Sequence, residues 1–253
     1  MTFEIVTVPC LSDNYAFLIH KDGKTALVDA PEAAPIKAAL EERGWSLDEI
    51  WITHHHFDHI EGVDELRSAY GSRVLGGAAD IGRLPPLDLA LGDGDTFEFA
   101  DSTVSVLDVS GHTVGHIAFY LPDANAVFTA DSLMALGCGR VFEGTMDQMW
   151  TSLSKLAGLP PATMVYSGHE YTMTNARFAL TIEPENPALL ARVKRIEDAR
   201  EFDLPTVPSQ LSDELETNPF LRAGLAEVKT LLNMSGQSDA EVFAEIRHRK
   251  DSF

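Results

Sequence analysis

Cysteine is nearly absent from this chain: Cys10 and Cys138 are the two among 253 residues. Two thiols cannot build a disulfide framework in a chain of this length, which fits a reducing compartment, the cytoplasm. Neither has an activating neighbour in sequence, so thiol catalysis is not expected. Cys138, between two glycines in "LGCGR", reads as part of a tight turn. No apolar run approaches the ~20 residues that a membrane-spanning helix needs, so no membrane partner is expected. The opening "MTFEIVTVPC" has no basic segment and carries Glu4 early, so it reads as a first strand rather than a secretory leader. Basic side chains are also scarce, 19 Lys and Arg against 39 Asp and Glu, for a formal net charge of −20. A field of that sign repels phosphates and argues against nucleic acid as substrate or partner.

What remains is ordinary globular composition, 45% hydrophobic and 23% charged, with no internal repeat and no low-complexity linker. Through about residue 170, short β-like runs alternate with turns and a few helices. "YAFLIHKDGKTALVDAP" reads as a hairpin around Asp22-Gly23, and "HIAFYLPDANAVFTAD" as another. "EAAPIKAALEERGW", "VDELRSAYG" and "MDQMWTSLSKLAGLP" read as helices, the first ending at Gly44 and the last at Gly158. After that the β signal disappears. "NPALLARVKRIEDAREF" has Asn186 to cap it and Pro187 at its first position. "RAGLAEVKTLLNMSG" reads as a helix with Gly236 past its end, and "SDAEVFAEIRHRK" as a third, with Ser238 and Glu241 in capping-box positions. The expected partition is an α/β part over residues 1–171 and a helical part over 172–253.

Residues 53–59, "THHHFDH", put four histidines and an aspartate on a strand-to-helix connection. His54 and His56 are two apart in an extended segment and point the same way, whereas His55 faces opposite and is not expected to be a ligand. Asp58 and His59 fall where the chain turns into a helix. Three further candidates each end a β-like run: His112 after "VSVLDVSG", Asp131 after "AVFTA" and His169 after "MVYSG". Strand ends on one sheet edge can bring such residues together on a rigid base. The expected set is His54, His56 and His112 for one metal, Asp58, His59 and His169 for a second, and Asp131 between them. Nitrogen and oxygen ligation without thiolate suits two divalent ions, zinc expected and iron or manganese possible. Such a pair acidifies a water, so metal-assisted hydrolysis is the expected reaction class. Asp29 either orients a ligating histidine or caps the helix after it. His116 reads as structural, and His20 and His248 have no metal context.

"THHHFDH" has the form T-H-x-H-x-D-H, and with "SGHT", "TADSL" and "YSGHEYT" it resembles the metallo-β-lactamase superfamily. "GCGRVFEGT", "TNPFLR" and the terminal "RHRKD" resemble one branch of it, the glyoxalase II or hydroxyacylglutathione hydrolase family. The resemblance covers essentially the whole chain. It implies an αββα sandwich followed by a helical glutathione-binding domain, and hydrolysis of an S-(2-hydroxyacyl)glutathione thioester to glutathione and a 2-hydroxy acid, D-lactate in the usual case. The seven ligand positions match the family's binuclear site one for one, with Asp58 and Asp131 carrying the catalytic roles. Arg247 and Lys250 would hold a glutathione carboxylate, with Arg140, Phe142 and Tyr171 lining the rest of the substrate site. Phe142 departs from the family's usual tyrosine, which removes one hydroxyl contact. The small glutathione thioester is the expected partner, and a monomer is favoured. The rivals are a glutathione persulfide sulfur dioxygenase or another hydrolase of the superfamily, a tRNA-processing nuclease, which the −20 charge disfavours, and a binding module, which would not need every ligand position filled.

Overall fold

The computed structural model describes residues 2–253, which divide into two compact units: 2–108 with 114–130, and 109–113 with 131–253.

The first unit opens with three antiparallel strands, β1 (Glu4–Cys10), β2 (Asn14–Lys21) and β3 (Lys24–Val28). The expected Asp22-Gly23 turn joins the last two, both residues at positive φ. Helix α1 (Ala33–Arg43) carries the chain to β4 (Glu49–Trp51), which pairs parallel to β3. The helix stops where sequence predicts: Gly44 adopts φ 67° and its N–H caps the Leu40 and Glu41 carbonyls. Helices α2 (Phe57–Ile60) and α3 (Val63–Tyr70) lead to β5 (Arg73–Gly77), again parallel, and β6 (Leu89–Leu91) closes the six-stranded sheet. β6 went unpredicted because three residues are too few to establish alternation.

A second sheet follows in this unit, β7 (Thr96–Phe99), β8 (Ser102–Asp108), β9 (Ile117–Leu121) and β10 (Ala126–Ala130), all antiparallel in that order. The first sheet is buried on both faces. On one side Leu18, Leu27 and Ile50 join Ile36 and Leu40 of α1 and Leu66 of α3 in one apolar cluster. On the other, Trp51 meets Phe97, Phe99 and Phe119 of the second sheet at ring-centroid distances of 5.1, 5.2 and 5.4 Å. Layers of helix, sheet and sheet result. Fully burying side chains of this size contributes about 1.5–3 kcal/mol each.

The second unit contains a short hairpin, β11 (Leu133–Met134) with β12 (Gly137–Cys138), then α4 (Met146–Ala157), β13 (Met164–Ser167), α5 (Thr172–Ile182) and α6 (Pro187–Glu201). β14 (Ser209–Gln210) pairs antiparallel with β13, which corrects the expectation that β structure ends near residue 170. Helices α7 (Leu211–Thr217), α8 (Ala226–Leu231) and α9 (Asp239–Asp251) complete it. Capping follows the sequence: Asn186 accepts from the Ala188 and Leu189 amides, and Ser238 and Glu241 form a full capping box. α8 is shorter than predicted. Asn233 turns left-handed at φ 59° and the Met234 amide reaches back to the Lys229 carbonyl, so the helix ends before Gly236.

Candidate metal centre

In the first unit the carboxyl ends of the parallel strands β3 and β4 lie side by side, Val28 in register with Trp51. Asp29 follows the end of β3 directly and Thr53 lies two residues past the end of β4, the position where open α/β sheets gather functional groups. Asp29 is buried and sits at φ 56°. Its Oδ1 accepts from the Thr53 amide (2.9 Å), and its Oδ2 accepts from the Thr53 hydroxyl (2.8 Å) and faces His59 Nδ1 (2.7 Å). With its own proton given to Asp29, the Thr53 hydroxyl is left to accept from His54 Nδ1, 3.0 Å away. Both histidines thus carry their proton on Nδ1, and each Nε2 keeps a lone pair. Asp29 therefore orients His59. It does not cap α1, whose N-cap is Glu32.

His54 and His59 are fully buried, their rings 4.2 Å apart, and the His56 ring lies 4.8 Å from that of His54. One potential ligand atom each from Asp29, His54 and His59 falls within 4.8 Å of the others. Asp58 lies in the first turn of α2, its Oδ2 accepting from Asn14 Nδ2 (3.0 Å) and standing 3.9 Å from His59 Nε2. His55 turns to Asp80, 3.1 Å from Nδ1 to Oδ2. His20 stacks on Trp45 at 4.1 Å and pairs with Thr25.

The second unit gathers His112, Asp131 and His169, all buried. Asp131 Oδ2 stands 3.5 Å from His112 Nε2 and 3.3 Å from His169 Nε2. Two ligand atoms on a tetrahedral cation at bond lengths of about 2.0–2.2 Å lie roughly 3.4 Å apart, so each of these two contacts has the spacing of a ligand pair, as expected of an Asp131 that serves one ion with His112 and another with His169. His112 Nδ1 faces the Arg140 carbonyl at 2.7 Å, which again leaves Nε2 as the lone-pair nitrogen. The backbone is tight here. A Cβ on Gly139 would lie 1.9 Å from the Asp131 carbonyl oxygen and 3.0 Å from His112 Nδ1, so only glycine fits.

Around this triad lie the predicted substrate residues. The Tyr171 ring stacks on His169 at 4.7 Å, and the exposed Phe142 ring meets His112 edge-on at 5.3 Å. Arg140 lies over Phe142 and reaches Asp251 from Nε (3.3 Å). Arg247 is buried, donating to the Cys138 carbonyl (2.9 Å) and to the same Asp251 oxygen (3.0 Å). Lys250 lies over the Phe178 and Phe253 rings. Burial first, and the Arg247 charge second, depress its pKa to about 8. Desolvation raises the Cys138 thiol to about 11 and the Cys10 thiol to about 12, so both stay protonated near neutrality, as their predicted inertness requires. Asp251, Asn14 and Thr53 were not singled out from sequence. Thr53 lies inside the T-H-x-H-x-D-H motif and Asp251 beside Lys250, but Asn14 carries no local signal.

Residues 11–169 match the family model of the metallo-β-lactamase superfamily, and residues 170–253 that of the hydroxyacylglutathione hydrolase C-terminus. A hydroxyacylglutathione hydrolase of Ruegeria pomeroyi is 64% identical over 255 residues, covering all of both chains. This chain belongs to the hydroxyacylglutathione hydrolase family. The same enzyme of Roseobacter denitrificans is 62% identical, again over the full length of both. Among solved structures, ETHE1 from Myxococcus xanthus superposes with a TM-score of 0.65 at 22% identity, covering 100% of this chain and 99% of that one, a likeness of fold alone. The fold is thus the αββα sandwich of this superfamily with a C-terminal helical segment. The family and the His/Asp clusters point to a binuclear metal site.

Proposed function

We propose that this chain hydrolyses S-(2-hydroxyacyl)glutathione thioesters, S-D-lactoylglutathione foremost, releasing glutathione and a 2-hydroxy acid, in the second step of methylglyoxal detoxification. The observation that carries this reading is identity above 60% over the full chain to hydroxyacylglutathione hydrolases, with every ligand position of the superfamily motif filled. His54, His56, Asp58, His59, His112, Asp131 and His169 are the proposed ligands of two divalent ions, zinc by preference. Residues 1–171 are the proposed catalytic domain and 172–253 the proposed glutathione-binding domain, supported by two family models that abut at residues 169 and 170. The proposed compartment is the cytoplasm, where the free Cys10 and Cys138 thiols suit reducing conditions.

The residues present fit that chemistry. Bound divalent cations supply an acidified water and a polarised carbonyl. The chain's own part is to hold and orient. Asp29 and Thr53 fix the tautomers of His59 and His54, and the Arg140 carbonyl fixes that of His112. Asn14 steadies Asp58, whose carboxylate would accept or orient a proton. Arg247 and Lys250, with Arg140, would draw the glutathione carboxylates, and Tyr171 and Phe142 would flank the acyl end. The leaving thiolate comes from a thiol of pKa around 8.5, so it departs without a dedicated general acid.

The test is turnover of S-D-lactoylglutathione, followed by loss of thioester absorbance. Wild type should turn over rapidly, His54→Ala should lose activity by more than 100-fold, and Lys250→Ala should act mainly on KM. Absence of turnover in fully metallated wild type would refute the substrate assignment.

A further inference from the structure

The hairpin of β11 and β12 is held from outside itself. Residues 131–139 are all buried, yet each strand is two residues long and cannot satisfy the turn by its own ladder. Buried backbone groups left unpaired cost about as much as a lost hydrogen bond each. Here successive groups along the hairpin meet a side chain from the helices. Asn218 Nδ2 donates to the carbonyls of Met134 (3.1 Å) and Gly137 (3.0 Å). Asn175 Nδ2 donates to Ala135 (3.1 Å), and the Leu136 amide donates to Glu214 Oε2 (2.8 Å). Arg247 takes the Cys138 carbonyl. Leu136 stands at φ 54°, a conformation that branched L side chains rarely hold without such support.

The clamp is charged at its centre. Glu214 is fully buried and pairs with Arg192, itself 4% exposed. Arg192 also donates to Thr217 Oγ1 (2.7 Å), and Glu214 Oε2 accepts from Asn218 (3.0 Å). An apolar filling of the same volume is often at least as stable as a buried ion pair, so stability alone does not account for this one. Its geometry does something packing cannot: it fixes where the hairpin stands. The hairpin leaves from Asp131 and returns at Gly139 and Arg140, the Gly139 amide closing onto the Ser132 carbonyl (3.0 Å). Gly139 leaves no room for a Cβ beside the Asp131 carbonyl and the His112 ring, and the Arg140 carbonyl orients His112. A displacement of the hairpin is therefore passed on to two ligand residues, through the backbone of Asp131 and the ring of His112.

We infer that Glu214, Asn218 and Asn175, with Arg192 behind them, are positioning residues for the metal centre. The helical segment would then set metal affinity in addition to binding substrate. The inference rests on the reading of His112 and Asp131 as ligands. Metal affinity by competition with a chromophoric chelator tests it, on stripped and reloaded Glu214→Gln, Asn218→Ala and Asn175→Ala, with the Tm of each metal-free protein measured alongside. Metal affinity should fall at least 10-fold in the first two and less in Asn175→Ala, which removes one hydrogen bond and serves if the others do not fold. A lowered Tm with wild-type metal affinity in the folded variants would overturn the inference, leaving the clamp as ordinary core. His112→Ala and Asp131→Ala separate the two failures. If they too keep wild-type affinity, the ligand reading falls; if they lose metal while the clamp variants do not, only the clamp falls.

Discussion

Lys250 is the residue where burial has the clearest functional consequence. Desolvation and the neighbouring Arg247 lower its pKa from the ordinary 10.5 to about 8, so its charge is present below that pH and lost above it. For stability the sign is opposite to a salt bridge: the cost of the buried charge is felt below about pH 8 and is relieved as pH rises toward 10.5. For catalysis, kcat/KM reports groups of the free enzyme. If Lys250 holds a substrate carboxylate, kcat/KM should fall as pH rises through about 8 while kcat stays level, and Lys250→Arg should flatten that limb; steady-state kinetics across pH 6–10 read this out. Asp29 makes a second residue-scale prediction. Asp29→Ala removes the acceptor that fixes His59, and metal affinity measured by chelator competition should drop about 10–100-fold. The ligand motif itself was plain in the sequence, because T-H-x-H-x-D-H and the residues at three strand ends are local patterns. The role of Asp29 was open there between orienting and capping, since both place an acid after "ALV". The 2.7 Å approach to His59, with Glu32 rather than Asp29 at the N-cap of α1, separates them.

At the scale of elements, the sequence is read most accurately where a cap marks the boundary. α6 and α9 begin as predicted because Asn186 and Ser238 accept the first amides. Asn186→Ala should therefore cost about 1 kcal/mol, lowering Tm in calorimetry by roughly 2–4 °C with little change in kcat. α5 was not predicted. Its N-cap is Tyr171 without a side-chain cap and its first turn has no acid, so no start signal exists. α8 was predicted too long because Gly236 is the stronger sequence signal, whereas Asn233 ends the helix. The β11–β12 hairpin was legible only as a glycine-flanked turn, since its partners lie 40 to 109 residues away. Gly139→Ala tests how closely that element is fitted. A methyl 1.9 Å from the Asp131 carbonyl must push the hairpin aside, so the variant should lose activity by more than 100-fold and bind metal more weakly, as elemental analysis after gel filtration would show.

Over the whole molecule, sequence periodicity predicts an α/β part followed by helices, and the layering into an αββα sandwich is legible only through the family resemblance. Trp51 ties the two sheets of the first unit, wholly buried against three phenylalanines. Trp51→Ala should destabilise by about 3–5 kcal/mol in denaturant unfolding. The charge balance sets the electrostatic frame: a chain of net charge −20 keeps Arg140, Arg247 and Lys250 close to one another through Asp251 and neighbouring rings, a local attraction for an anionic thioester. The molecule is a hydrolase of the hydroxyacylglutathione hydrolase family whose His/Asp clusters point to a binuclear centre. The direct measurement is turnover of S-D-lactoylglutathione as zinc is titrated into metal-free protein, with bound metal quantified at each point. Activity that rises from zero and saturates at two ions per chain is the expected result; saturation without a second ion, or no turnover at full occupancy, would contradict it.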